Sequence, residues 1–123
     1  MDMVEFAREL FEAAEAGDVD RLQALIAPDA AIVQNGVATT TAGLLAFNRA
    51  VHDVAPDLRY LNAVRSATAD GFVEEHVVSG TAGGESFRLP ACVVGTVEAG
   101  VLTSLREYAD MSQGRPLLRA LRV

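Results

Sequence analysis

The sequence predicts an α+β domain in which three helices precede a strongly bent antiparallel sheet. Apolar residues recur at steps of three and four in the first half of the chain, and they alternate with polar residues from Asp57 to Asp110. Turn pairs at Asp70-Gly71, Gly83-Gly84 and Ala99-Gly100 divide that second half into strands. Helices that come before a sheet, and not between its strands, are typical of an α+β layer fold whose helices close one side of a cavity.

Three amphipathic helices are expected before residue 56. The first ends at Gly17, since glycine readily adopts the left-handed conformation that ends a helix, and the second ends at Pro28. The third ends before Pro56, because a residue that precedes proline is disfavoured in the helical region. Their apolar faces consist, in order, of Val4, Ala7, Leu10, Phe11 and Ala14; of Val19, Leu22, Leu25 and Ile26; and of Leu44, Phe47, Val51 and Val54.

The strands are indicated by turns and by alternation. A brief strand from Ala30 to Gln34 ends at the Asn35-Gly36 turn. A short last helix starts near Gly114-Arg115-Pro116 and needs an apolar surface to cover. Between them, four longer strands are expected to form an antiparallel meander, namely Leu58 to Thr68, Phe72 to Thr81, Glu85 to Glu98 and Val101 to Asp110.

Composition excludes several classes of function. The chain has 123 residues, of which 50% are hydrophobic and 22% charged, so we expect one globular domain covering residues 1–123. Its net charge of −7 and its scattered basic residues argue against a nucleic-acid partner. All ten basic residues are arginines, and a chain without lysine forms no Schiff base and no P-loop.

Neither a metal nor a membrane is expected as a partner. Cys92 is the only cysteine, and two histidines without a ligand-type spacing give no strong metal motif. No apolar run approaches the roughly 20 residues that cross a bilayer. The first residues are acidic where a secretory signal would be basic, so we expect a cytoplasmic protein. Because the sequence has no lysine and no strong metal motif, we also expect no cofactor.

Glu107 is the main candidate for chemistry. A period of two along the last strand places it on the more apolar face, with Leu105 and Ala109, and places Leu102 and Tyr108 on the other face. Loss of water disfavours a charged carboxylate and raises its pKa, which suits a general acid or base. The alternative is an ordinary strand glutamate, paired with an arginine such as Arg88 or Arg65.

The order of elements and the closing segment Leu105 to Asp110 resemble the SnoaL-like members of the nuclear transport factor 2-like fold. The resemblance covers nearly the whole chain. It implies a cone-shaped α+β fold with an internal cavity, a scaffold that hosts isomerases, polyketide cyclases, dehydratases, epoxide hydrolases and proteins without catalysis.

Within this fold, the segment Leu89 to Asp110 is most similar to the limonene epoxide hydrolase group. The resemblance places Glu107 at the group's water-activating acid. The group's Tyr-Gln-Asn matches Val33-Gln34-Asn35, which retains Asn35 and lacks the tyrosine. Its Arg-x-Asp matches His76-Val77-Val78, so a histidine replaces the arginine and the second acid is missing. The resemblance thus implies a site of Glu107, Asn35 and His76.

Each candidate has a structural alternative. His76 either donates a proton from the cavity wall or is an edge histidine satisfied beside Glu74 and Glu75. Asn35 either orients water or a ligand or simply forms the turn that Asn-Gly favours. Tyr60 offers a phenol, but it lies outside the first helix, where ketosteroid isomerases keep their tyrosine.

We therefore expect a cofactor-independent enzyme that uses acid/base catalysis on an apolar small molecule. The reaction is either epoxide hydrolysis or a polyketide-type cyclisation or isomerisation. The alternative is a non-catalytic ligand-binding or dimerisation module of the same fold. A homodimer is expected through the outer sheet face, where Leu102 and Tyr108 flank Arg106.

Overall fold

Three helices and a short C-terminal helix pack on one curved, unclosed six-stranded sheet in a computed structural model, which describes residues 2–122. The α+β prediction is confirmed. In chain order the elements are α1 (Met3–Ala16), α2 (Val19–Ala24), β1 (Ile26–Gln34), β2 (Val37–Thr39), α3 (Thr41–Val54), β3 (Arg59–Ala67), β4 (Gly71–Ala82), β5 (Glu85–Glu98), β6 (Val101–Ala109) and α4 (Arg115–Leu121).

The two long helices begin and end at local signals. The Asp2 carboxylate accepts hydrogen bonds from the first free amides of α1, and Gly17 ends that helix with a φ of 67°. The Thr40 hydroxyl accepts a bond of 3.1 Å from the Gly43 amide at the start of α3. These caps set where the two helices begin and where α1 ends.

The predicted antiparallel meander is confirmed, because β3, β4, β5 and β6 pair antiparallel in chain order. The sheet as a whole is mixed and has six strands, more than the four or five that were predicted. The strand order is β2-β1-β6-β5-β4-β3, and β1 runs parallel to β6. Alternation in the sequence indicates a strand but not its neighbour, so this pairing was not predicted. The three-residue edge strand β2 was also missed.

The start of β1 was placed wrongly as well. The strand begins at Ile26, which the sequence assigned to the second helix, and it contains Pro28. Its pairing with β6 shifts between Ile26 and Ala31, and such an irregularity tolerates a proline that has no amide to donate.

Leu102 lies in the core, and the prediction that it lies on the outer face is wrong. Leu102 pairs with Val97 whereas Ser104 pairs with Thr96, so Thr103 is an extra residue that shifts the alternation of β6. Leu102 is 0% exposed as a result. Leu105 and Glu107, beyond the bulge, keep the inner face that was predicted for them.

Shortening Leu102 should therefore destabilise the fold. We expect Leu102→Ala to lower the free energy of unfolding by about 2–5 kcal/mol, through lost burial and a residual cavity. Tyr108→Ala, on the same strand but 54% exposed, should change it by about 0.5 kcal/mol or less. Urea unfolding of both variants measures the difference, and equal losses would place Leu102 outside the core.

Candidate functional site

An internal cavity of about 280 Å³ lies between the helices and the inner face of the sheet. Most residues that line it are aliphatic or aromatic, including Phe11, Leu44, Phe47 and Val51. No arginine or histidine of the described chain is among the lining residues. The polar residues of the wall are Gln34, Asn35, Asn48, Tyr60 and Glu107.

Glu107 presents its carboxyl group to this cavity. Gln34 on β1 pairs in register with Glu107 on β6, and the Gln34 Nε2 donates a hydrogen bond of 3.0 Å to the Glu107 Oε1. Burial raises the pKa of Glu107, while the Gln34 bond and the charge of His76 oppose that rise. Glu107 makes no ion pair with any residue of the described chain, so the alternative of a pair with Arg65 or Arg88 is not realised.

Asn35 lies at the edge of the cavity and forms the turn. Its φ is 47°, in the left-handed region that asparagine tolerates, and Gly36 follows with a φ of 80°. The Asn35 Oδ1 accepts a bond of 2.8 Å from the Ala109 amide, and the Asn35 amide donates to the Glu107 carbonyl. Both groups therefore tie the β1–β2 turn to β6, and the side-chain oxygen already has a protein partner.

His76 is buried behind the cavity wall and does not line the cavity. Its Nδ1 lies 2.6 Å from the Glu74 Oε2, and the Arg65 Nε donates a bond of 2.5 Å to the Glu74 Oε1. The structure thus brings Glu107 and Asn35 to one cavity and places His76 in a separate polar chain. The ring of Tyr60 stacks on His76, with centroids 4.4 Å apart and planes at 5°.

Tyr60 contacts both groups of residues, and no pattern in the sequence singled it out as a site residue. Its ring lies on His76 and also lines the cavity. Burial, followed by the charges of Glu107, Glu15 and Glu74, raises the pKa of the Tyr60 phenol far above its usual range. The phenol therefore keeps its proton and can donate it in a hydrogen bond.

Asn48 is a second cavity residue that sequence reasoning missed. Its Nδ2 donates a bond of 3.1 Å to the Ala14 carbonyl, and its Oδ1 is buried without a partner in the described chain. A buried acceptor without a partner costs stability. Asn48 lies between Leu44 and Val51 on the apolar stripe of α3, and a polar residue at that helical spacing was the available signal.

The site thus combines one carboxyl group of raised pKa with one protonated phenol in an apolar cavity. No cluster of three or more metal-ligating side chains occurs among residues 2–122. Within the same residues, no helix combines the length and the apolar character that crossing a membrane requires.

Solved structures with the same fold include several described as candidate polyketide cyclases. One is IdmH from Streptomyces antibioticus, with 22% identity over 100% of both chains and a TM-score of 0.82. Another comes from Silicibacter, with 25% identity over 89% of this chain and 90% of the other and a TM-score of 0.78. A further solved structure is that of a hypothetical protein from Catenulispora acidiphila, which has a ketosteroid isomerase-like fold and is in complex with trimethylamine. Its identity is 16% over 99% of this chain and 95% of the other, with a TM-score of 0.78.

The sequence itself identifies the family. The chain has no match among curated proteins. The model of the SnoaL-like domain matches residues 7–105, which include all three N-terminal helices except the start of α1, and most of the sheet. The protein is therefore a member of the SnoaL-like domain family.

Proposed function

We propose that this protein is a cofactor-independent enzyme that moves protons on an apolar small molecule, with Glu107 as the acid/base. The observation that carries the proposal is the Glu107 carboxyl group, which lies in an apolar cavity, is held by Gln34 and has a raised pKa. A general acid/base works best when its pKa lies near the working pH, and burial moves a carboxyl group in that direction.

Tyr60 supplies the second group that such chemistry needs. In the proposed reaction, Glu107 takes a proton from the carbon next to a substrate carbonyl, and the electron pair of that C–H bond forms an enolate. The Tyr60 hydroxyl donates a hydrogen bond to the developing oxyanion. The enolate carbon then attacks a second carbonyl of the same substrate, which gives a cyclised product, or takes a proton at another position, which gives an isomer. Glu107 returns the proton in either case.

Cyclisation or isomerisation is favoured over epoxide hydrolysis by the residue at position 78. By the resemblance to limonene epoxide hydrolases, this position would hold the second acid, which protonates the epoxide oxygen. The residue is Val78, and it lines the cavity. Without that acid, epoxide opening has no strong proton donor, whereas enolate formation needs only a base and a hydrogen-bond donor. The neighbours described as candidate polyketide cyclases support the same choice.

The substrate is a compact molecule without negative charge. The cavity of about 280 Å³ is slightly below the range of roughly 300–1,000 Å³ that is common for small-molecule sites. Its wall carries the Glu107 carboxyl group and, within the described residues, no arginine or histidine, so a bound carboxylate or phosphate would lack a cationic partner. The neighbour that holds trimethylamine supports binding of a small, uncharged or cationic molecule in this fold.

A homodimer remains part of the proposal, with a smaller interface patch than the sequence suggested. Leu102 is buried in the core and takes no part, whereas Tyr108 and Arg106 are exposed on β6. Tyrosine and arginine are enriched at interface centres, which supports pairing through this face.

Glu107→Gln should abolish turnover while retaining fold and ligand binding. The amide keeps the shape and accepts the Gln34 bond but cannot take a proton, so we expect a loss of about 10²- to 10⁴-fold in kcat. The assay is a screen of β-dicarbonyl compounds and small epoxides with wild type and variant. Glu98→Gln, at the exposed end of β5, controls for the loss of one carboxylate.

Two outcomes of this screen decide against the proposal. Equal turnover by wild type and Glu107→Gln would remove Glu107 as the acid/base. Tight binding of neutral compounds without turnover by any protein would favour the non-catalytic binding module.

Tyr60→Phe should lower kcat by about 10²-fold with little change in folding, because it removes one donor to the oxyanion and keeps the ring that stacks on His76. Tyr108→Phe, which removes a hydroxyl from the outer face, is the matched control and should retain full activity. Steady-state kinetics on an active dicarbonyl compound measures both, and an unchanged kcat in Tyr60→Phe would exclude the hydroxyl from the reaction.

Glu107→Gln should also change how stability depends on pH. Because burial raises the pKa of Glu107 in the folded state, the folded protein binds this proton more tightly than the unfolded chain does. That contribution is complete below the unfolded pKa of about 4.3 and is lost as pH rises toward the folded pKa. The melting temperature of the variant, relative to wild type, should therefore rise between pH 4 and pH 8. The opposite trend in thermal unfolding would contradict the burial argument.

A further inference from the structure

The side-chain oxygen of Asn48 is a hydrogen-bond acceptor without a donor. Asn48 is 9% exposed and lines the cavity from α3. Its Oδ1 is buried, and no residue of the described chain donates to it. By contrast, the side-chain oxygen of Asn35, at the edge of the cavity, accepts from the Ala109 amide. A buried acceptor without a partner costs free energy, so a bound molecule that donates to the Asn48 Oδ1 would remove that penalty.

The orientation of the Asn48 amide is set by its nitrogen. The Nδ2 donates a hydrogen bond of 3.1 Å to the Ala14 carbonyl in the last turn of α1. A carbonyl oxygen only accepts, so the side-chain NH₂ and not the oxygen must face Ala14. Turning the amide over would break this bond and place two oxygens against each other. The Oδ1 therefore stays an acceptor of fixed direction.

The Ala14 carbonyl does not depend on Asn48 for a partner. It also accepts from the Gly17 amide at 3.2 Å, and the Nε2 of His52 lies 2.9 Å from it. A carbonyl oxygen has two lone pairs, so these two donors would satisfy it without Asn48. The other cavity residues on the same stripe of α3 are apolar. The contact between α1 and α3 thus does not explain a polar residue at position 48.

We propose that Asn48 forms a substrate-binding subsite, in which its Oδ1 accepts a hydrogen bond from a neutral hydroxyl group of the bound molecule. Asn48 belongs to the helical wall of the cavity and Glu107 to the sheet wall, so this molecule spans the cavity between them. Its hydroxyl end lies at α3, and its reacting carbonyl end lies at β6. That the bound molecule is a substrate rests on the proposed function, whereas the hydrogen bond to Asn48 does not.

The surroundings of Asn48 favour a neutral donor over a cationic one. Leu44, Phe47 and Val51 line the cavity from the same helix. Moving an ammonium group from water to such an apolar wall costs far more free energy than moving a hydroxyl group. Glu107 is the one carboxyl group among the described lining residues, and it lies on the opposite wall, where a cation would gain more. The subsite therefore fits hydroxylated carbonyl compounds.

Binding of acetophenones to the wild type tests the subsite without turnover. The compounds 3-hydroxyacetophenone and 4-hydroxyacetophenone carry a ketone for the Tyr60 hydroxyl and offer a donor at two ring positions. Acetophenone lacks the donor, and 4-methoxyacetophenone replaces its hydrogen with a methyl group. At pH 6 both phenols keep their proton.

Isothermal titration calorimetry should give one of the two hydroxylated isomers a Kd about 10-fold below that of acetophenone, because a buried acceptor gains its partner. The methoxy compound should bind no more tightly than acetophenone. Equal binding of all four compounds, or no binding of any of them, would overturn the proposal.

Asn48→Leu should remove this preference, since leucine keeps nearly the same shape without the oxygen. The variant should melt at the wild-type temperature or above it, because the unpartnered acceptor is gone and the Ala14 carbonyl keeps two donors. Asn48→Ala, which leaves space instead of filling it, should lose the same preference.

His52→Leu is the matched control. It removes another contact to the Ala14 carbonyl, but His52 does not line the cavity, so the preference of about 10-fold should remain. An undiminished preference in Asn48→Leu would overturn the subsite. Loss of the preference in His52→Leu would also overturn it, because Asn48 would then act only through the packing of α3 on α1.

Failure of the proposed function would look different from failure of the subsite. A wild type that is inactive on dicarbonyl compounds and still prefers a hydroxylated acetophenone would remove Glu107 as the acid/base and retain the role of Asn48. An active wild type without this preference would retain Glu107 and overturn the subsite.

Discussion

The parallel pairing of β1 with β6 is the constraint on which the site depends. It places Gln34 directly beside Glu107, so that an amide donor reaches a carboxyl group that burial has removed from water. The same pairing continues into the turn, where the Asn35 amide and side chain bond to the backbone of β6 at Glu107 and Ala109. The orientation of the proposed acid/base is therefore set by the sheet and not by a mobile loop, which suits a group that must meet a substrate in a fixed geometry.

Two carboxyl groups on the inner face show how surroundings assign different roles. Glu74, Val93 and Glu107 lie opposite one another on β4, β5 and β6, so the two acids are about 10 Å apart at Cα. Glu74 has a guanidinium and an imidazole as partners, whereas Glu107 has one neutral amide and an apolar cavity. Both carboxylate oxygens of Glu74 therefore already have a side-chain partner. Glu107 has one oxygen bonded to Gln34 and the other free for a substrate. Burial disfavours its charged form and so raises its pKa.

Patterns in the sequence predicted most helices and strands, but which strands pair with each other is seen only in the structure. Periodicity and turn pairs located the three N-terminal helices, the four long strands and Glu107 on the inner face. They missed the parallel β1–β6 pairing and the bulge at Thr103, because both depend on which strands meet. The Leu102 prediction failed for that reason, since one extra residue in a strand reverses the side-chain alternation.

The same distinction holds for the site residues: some could be predicted from their own strand, and others depend on which strands pair. Glu107 could be predicted because its own strand supplies the apolar neighbours that raise its pKa. His76 was expected either at the cavity wall or beside Glu74, and only the structure decides for Glu74. The place of Tyr60 could not be predicted, because its stacking on His76 depends on how β3 pairs with β4. The chemistry that we propose for this family member depends on a few positions on a shared scaffold. Here Val78 stands where the epoxide hydrolases that the sequence resembles have their second acid. Glu107 and the protonated phenol of Tyr60 line the same cavity, whereas His76 does not line it. A base and a neutral hydrogen-bond donor, without a second acid at the cavity wall, suit enolate chemistry better than the opening of an epoxide.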